Sequence, residues 1–260
     1  MNILFISSES RGFSIVCSVL GVQPCARNIA TARAKNRMPK KIVLASNNKH
    51  KIKEFNEVLT DYEILSLNDI GFHDDIVEDG NSFAENALIK CKAVYDYCKK
   101  NNYDYDIISD DSGLCCEALN GEPGIHSARY AGNHNDQANR DKLRKELEGK
   151  DKNAHFVCFI CLYKNENDYK FFEGKSYGYI IDEERGSTEF GYDSIFYSTE
   201  LNKTFGIASS EEKDSVSHRG RALRNFAENL KNGISLSAIT NSTRVRYIKN
   251  IFSKKYSDML

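Results

Sequence analysis

Tryptophan is absent from the 260 residues and proline occurs only three times. A chain this poor in proline is neither collagen-like nor a proline-rich spacer. No apolar run approaches the ~18 residues of a membrane-spanning helix, so no membrane partner is expected. Net charge is almost absent as well, at −1. The eight cysteines lack the clustering of a disulfide scaffold, and Cys158-x-x-Cys161 is a lone pair inside a strand-like run. A structural zinc site would need a second such pair. Buried free thiols are the expectation, and they suit a reducing, cytoplasmic setting. What is present is ordinary for a globular protein: 40% hydrophobic and 28% charged residues, in a chain long enough for a packed core.

The small net charge is a cancellation. Residues 1–38 carry a net +4 and residues 240–260 another +4, which leaves −9 for residues 39–239. An acidic body disfavours a nucleic-acid partner, whose backbone needs a positive face. Handling phosphate would require a local basic site or a divalent cation. The leader 1–38 is Arg- and Ser-rich without clear periodicity, and Phe13–Val22 is too short and broken for a signal peptide. It reads as a disordered leader or as sequence ahead of a true start at Met38. The organisation expected is therefore a basic leader (1–38), a catalytic body (39–232) and a basic tail (233–260).

Within the body, strand and helix patterns alternate, which predicts an α/β fold. Strands are expected at Lys41–Ala45, Tyr62–Leu67 and Ile107–Ser109, with helices over Lys49–Thr60, Ser82–Lys100, Asn135–Glu148 and Ser217–Leu230. Ser82 is the expected N-cap of its helix, with Glu85 completing a capping box. His155–Tyr163 and Tyr169–Ile181 read as a long hairpin, so the sheet should be mixed rather than all parallel.

Five segments carry chemistry. Ser46-Asn47-Asn48-Lys49-His50-Lys51 joins the first strand to the first helix, where open backbone, helix N–H groups and Lys51 form a phosphate cradle. No P-loop is present, because Gly174-Lys175-Ser176 lacks its upstream glycine. Asp110-Asp111-Ser112-Gly113 follows a short strand, and two adjacent carboxylates there would repel unless a cation or a proton intervened. Mg²⁺ takes such oxygens. Glu85 lies beside the apolar stripe of its helix, placed to reach a cleft or to cap. Gly121–Tyr130 is a Gly/Pro-fixed loop whose Arg129 could hold an anion. In Phe190-Gly191-Tyr192-Asp193 the two aromatics can stack on a flat base, while Asp193, His218 and Arg219 can read its edges.

Together and in this order, the lysine-bearing turn, Phe-x-Glu-Asn-Ala, Asp-Asp-Ser-Gly, Pro-Gly-Ile-x-Ser-Ala-Arg-Tyr, Phe-Gly-Tyr-Asp and Lys-x4-His-Arg resemble the inosine triphosphate pyrophosphatase family. The resemblance spans about Lys40 to Asn232. It implies a long mixed sheet flanked by helices, in two lobes around a central cleft, assembled as a homodimer. It implies Mg²⁺-dependent cleavage of non-standard purine nucleoside triphosphates (ITP, dITP, XTP) to monophosphate and pyrophosphate. By the same resemblance Ser46, Asn47, Asn48 and Lys51 hold the triphosphate, with Lys90 and Lys213 near the phosphates and Ser112 touching the nucleotide. Glu85 and Asp111 bind the metal with Asp110 close by, and Asp111 is the general base toward water at the α-phosphorus. Phe190, Gly191, Tyr192, Asp193, His218 and Arg219 form the base pocket. This chain departs from the family pattern at Asn47 (often Gly), His126 (often Tyr), Glu189 (often Gly) and Ser194 (often Pro). A pyrophosphatase for modified pyrimidine or standard nucleotides, or a nucleotide-binding module without catalysis, are the competing readings.

Overall fold

The computed structural model describes residues 40–132 and 134–231. The leader 1–38 and the tail 233–260 lie outside them. In chain order the elements are β1 (Lys40–Leu44), α1 (Lys49–Val58), β2 (Tyr62–Leu65), α2 (Phe83–Lys100), β3 (Asp106–Cys116), α3 (Asp136–Glu146), β4 (Asn153–Asn165), β5 (Asp168–Ile180), β6 (Phe196–Ser198), β7 (Lys203–Thr204), α4 (Ser210–Val216) and α5 (His218–Lys231). The strands form one sheet in the order β2-β1-β3-β4-β5-β6-β7. β2, β1 and β3 run parallel and the rest pair antiparallel, so the sheet is mixed, as the hairpin pattern implied.

Side-chain alternation along the strands splits the core by face. On one face Ile42, Leu44, Ile108 and Ile160 pack against Phe55 of α1 and Ala222, Leu223 and Phe226 of α5. On the other, Val43, Ile107 and Cys161 meet Ala87, Leu88, Cys91, Val94 and Cys98 of α2. Cys158 and Cys161 therefore point to opposite faces of β4 and cannot pair; the six described cysteines are free thiols. Beyond the end of β1 a third cluster forms a second lobe, with Leu114, Tyr130, Leu143, Phe156, Tyr192 and Phe196 at its centre.

β3 differs most from its expected form. The sequence predicts three residues ending at the Asp-Asp pair, yet β3 runs eleven residues through Asp110-Asp111-Ser112-Gly113. Its first part lies against β1, up to the Leu44–Ile108 register, and Ile107–Cys116 lies against β4. The partner strand β4 supplies the ladder hydrogen bonds that hold polar residues in extended form. At Gly113 a Cβ would overlap the Gly124 carbonyl and sit 2.5 Å from Ser127 Oγ, so only glycine lets the Gly121–Tyr130 loop close onto the strand.

Candidate active site

β1 stops at Leu44 while β3 continues, so Asp110 to Gly113 have β4 on one edge and an open edge on the other. This is the carboxyl end of the parallel strands, the usual ligand position in such sheets. Strand alternation sends Asp110 and Asp111 to opposite faces. The expected repulsion between two neighbouring carboxylates does not arise, because each has its own surroundings.

Asp110 faces α1 and α5. Lys51 Nζ donates to its Oδ1 at 2.9 Å and Arg219 Nε to its Oδ2 at 3.1 Å. Arg219 also donates to Glu54 Oε2 and Ser112 Oγ, both at 3.1 Å. Burial alone would raise the Asp110 pKa, but the Lys51 and Arg219 charges outweigh it and hold the carboxyl well below the ordinary carboxylate range. Asp110 is an ionised anchor that fixes two cations at the strand edge.

Asp111 faces α2. Asn86 Nδ2 donates to its Oδ2 at 3.1 Å, the Ser112 N–H to its Oδ1 at 3.0 Å, and Lys90 Nζ stands 3.8 Å from Oδ1. Burial pushes the Asp111 carboxyl up, and Lys90 and Asn86 recover only part of that shift. A carboxylate made more basic by its site, yet held in a fixed orientation, suits proton abstraction. Lys90 is itself buried and pairs with Glu78 at 2.6 Å. Burial would lower its pKa, but Asp111 and Glu78 reverse the shift and keep it charged.

The capping box expected at the start of α2 forms only in half. Ser82 caps α2 as expected, by accepting from the Glu85 N–H at 3.2 Å. The Glu85 carboxylate accepts from the Asn81 N–H at 2.6 Å, one residue before the cap, so the reciprocal half of the box is missing. That bond turns Glu85 toward the loop, and Glu78 occupies the position beside Lys90 and Asp111. Glu78 was missed. Its signal is Lys90, which lies on the buried side of α2 and needs an acidic partner. Among the described residues no three His, Cys, Asp or Glu side chains gather as a metal cage.

The Ser46–Lys51 turn forms the third wall. Asn48 caps α1, accepting from the His50 and Lys51 N–H groups at 2.9 and 3.2 Å, so two donors read as free for phosphate are satisfied internally. Ser46 Oγ accepts from the Asn48 N–H, and Asn47 Oδ1 from the Asn68 N–H.

Opposite this turn, the Phe190–Asp193 segment divides. Phe190 is 40% exposed, edge-on to His50 with centroids 4.7 Å apart, and Lys213 Nζ lies 5.1 Å from its centroid. Tyr192, expected to stack on a base, is buried in the second lobe with its hydroxyl donating to the Ser127 carbonyl, so it is a core residue. Asp193 is buried and ion-paired with Lys213, which ties this lysine to the Phe190–Asp193 segment rather than to Asp111. Burial raises the Asp193 pKa despite that pair. His218 is buried and stacks on Phe156 at 4.8 Å. Burial first, then Arg219 and Lys213, hold it well below its ordinary value. That shift favours the neutral imidazole, and its Nδ1 has no hydrogen-bond partner among the described residues. Arg129 is exposed at the end of a 3-10 turn, and no hydrogen bond or ion pair among the described residues joins it to these groups.

A sequence profile of the Ham1 family matches residues 42–229. A dITP/XTP pyrophosphatase of Clostridium perfringens is 45% identical over 199 residues, 74% of this chain and 98% of that protein. One from Leuconostoc mesenteroides is 44% identical over 197 residues, 73% of this chain and 96% of that protein. Among solved structures, the Staphylococcus aureus Ham1 protein is 40% identical and superposes with a TM-score of 0.68, over 75% of this chain and all of that one.

Proposed function

We propose, because this chain belongs to the Ham1 family, that its cleft hydrolyses the non-standard purine triphosphates ITP, dITP and XTP to monophosphate and pyrophosphate. The enzyme is a nucleoside triphosphate pyrophosphatase, as its relatives are named. The observation that carries this proposal is Asp111: a carboxylate made more basic by burial, oriented by Asn86 at the open edge of β3, with cations on both sides.

In this reading the triphosphate crosses that open edge. Lys51, and Lys90 from the other face, neutralise its oxygens, and Asp111 takes the proton of a water aimed at the α-phosphorus. Ser46 and the α1 turn border the phosphate chain. Arg219 joins the two ends of the site, because it holds Asp110 and Ser112 while sitting beside buried His218. The purine lies against Phe190, toward Asp193 and His218.

The residues present fit Mg²⁺. Glu78 and Asp111 are hard oxygen donors on either side of Lys90. Mg²⁺ is commonly held by one or two carboxylates plus substrate phosphates, so no protein cage is needed. Bound with the nucleotide, Mg²⁺ would supply charge neutralisation. Glu85 stays outside this set as long as Asn81 holds it. We also assign a homodimer and a cytoplasmic location, in keeping with the family resemblance and the free thiols; no helix among the described residues is long and apolar enough to cross a membrane.

The test is a steady-state comparison of ITP, dITP, XTP, ATP, GTP and UTP with Mg²⁺ and product identification. Preference for the first three with pyrophosphate released supports the reading. An even rate across all six, preference for UTP, or binding without turnover replaces it.

A further inference from the structure

Arg140, on α3 in the second lobe, lies outside the machinery described so far. Its side chain is only 3% exposed. A buried guanidinium needs a partner for its charge and donors, and Arg140 has three. Nε donates to Glu184 Oε1 at 3.1 Å, Nη2 to Gln137 Oε1 at 2.7 Å, and Nη1 to the Gly191 carbonyl at 2.7 Å. Glu184 is held again by Gln137 at 3.0 Å and by Arg144 at 3.3 Å. One turn before Arg140, Asp136 Oδ2 accepts from the Gly191 N–H at 3.1 Å.

Both backbone polar groups of Gly191 are thus gripped by one face of α3, since Asp136 and Arg140 are four residues apart. Gly191 has φ +44°, a region that glycine enters at little cost and that leaves the free chain mobile. The residue before it is Phe190, the exposed ring at the cleft. A large aromatic that is exposed yet fixed at its neighbouring peptide is preorganised for a stacking partner.

We propose that Arg140 is a positioning residue for nucleobase recognition: its fork ties the Gly191 carbonyl to Glu184 and thereby sets the Phe190 ring at the height and angle a purine meets. Where that ring stands decides which base edge reaches buried Asp193 and His218, so the clamp acts on selectivity rather than on the chemical step. The inference rests on the reading that the purine lies against Phe190.

Three variants test it. Arg140→Lys keeps the charge but cannot hold two acceptors in a fork. Arg140→Leu removes the clamp and leaves Glu184 to Gln137 and Arg144. Arg140→Leu with Glu184→Leu removes the whole pair, so a stability loss caused by an unmatched carboxylate is separated from loss of positioning. Two readouts are needed. Hydrogen exchange of the peptide spanning 187–193 should quicken in all three variants, whatever the enzyme acts on. KM for XTP and dITP should rise about 10-fold, part of the value of one base–aromatic stack, with kcat within about twofold, so that the XTP-to-UTP ratio of kcat/KM falls.

Unchanged exchange, an unchanged XTP-to-UTP ratio, or an equal loss of kcat on every nucleotide in step with the melting temperature would each overturn the proposal. If the wild-type protein turns over no nucleoside triphosphate, the pyrophosphatase reading fails first and the nucleobase role of Arg140 fails with it. Quickened exchange would then leave only a loop clamp.

Discussion

Replacing Asp110 with asparagine should cost stability, although Asp110 does no chemistry in this account. Its side chain is 1% exposed and neutralises Lys51 and Arg219, whose side chains are 22% and 17% exposed. Breaking a fully buried ion pair costs about 3–5 kcal/mol; here both cations are partly hydrated and asparagine can still accept a hydrogen bond, so about 2–4 kcal/mol is expected. At roughly 2–4 °C per kcal/mol for a domain of this size, melting should fall by about 5–15 °C. The pH dependence identifies the cause. The folded Asp110 pKa is depressed, so its contribution is complete above the unfolded carboxylate value of about 3.9 and is lost as pH falls through the folded value. Calorimetry from pH 8 downward should show a constant gap between wild type and variant to about pH 5, then a narrowing gap. A gap below about 1 kcal/mol at pH 7, or one that does not narrow in acid, would refute the assignment of Asp110 as the ionised anchor.

Asp111→Asn should reduce kcat by roughly 10²–10⁴-fold, the range for a general base, while melting stays within a few degrees, because burial already disfavours that charge; near-wild-type turnover removes Asp111 from the mechanism. Lys51→Ala should raise KM for the triphosphate and also lower the melting temperature, since Asp110 loses a partner; unchanged kinetics would make the turn structural only. Glu78→Gln should raise the Mg²⁺ concentration for half-maximal rate more than Glu85→Gln does, and the reverse order would assign the ligand role to Glu85.

The sequence is most legible where one period dominates. The apolar stripe of α2 and its Ser82 cap, the long β4–β5 hairpin and the last helix all match the expectation. It is least legible where neighbouring chain overrides local preference. Asp-Asp-Ser-Gly has poor strand propensity, yet β4 holds it extended, and that extension sends Asp110 and Asp111 to opposite faces. Glu78 precedes α2 in a loop with no periodic pattern, so only the need of buried Lys90 points to it. Tyr192 looks like its neighbour Phe190 in the sequence, but the turn at Gly191 exposes one ring and buries the other. Lys90 and Ser112 lie beside the aspartates, and Arg219, expected among the base-pocket residues, pairs instead with Asp110 and Ser112 because the α5 register carries it there.

The proposed activity turns on water attacking the α-phosphorus rather than the β- or γ-phosphorus. Hydrolysis of XTP in ¹⁸O-labelled water, with mass analysis of both products, tests it most directly. The account predicts one labelled oxygen in the monophosphate and none in the pyrophosphate. Label in pyrophosphate, or release of orthophosphate as the first product, would contradict it.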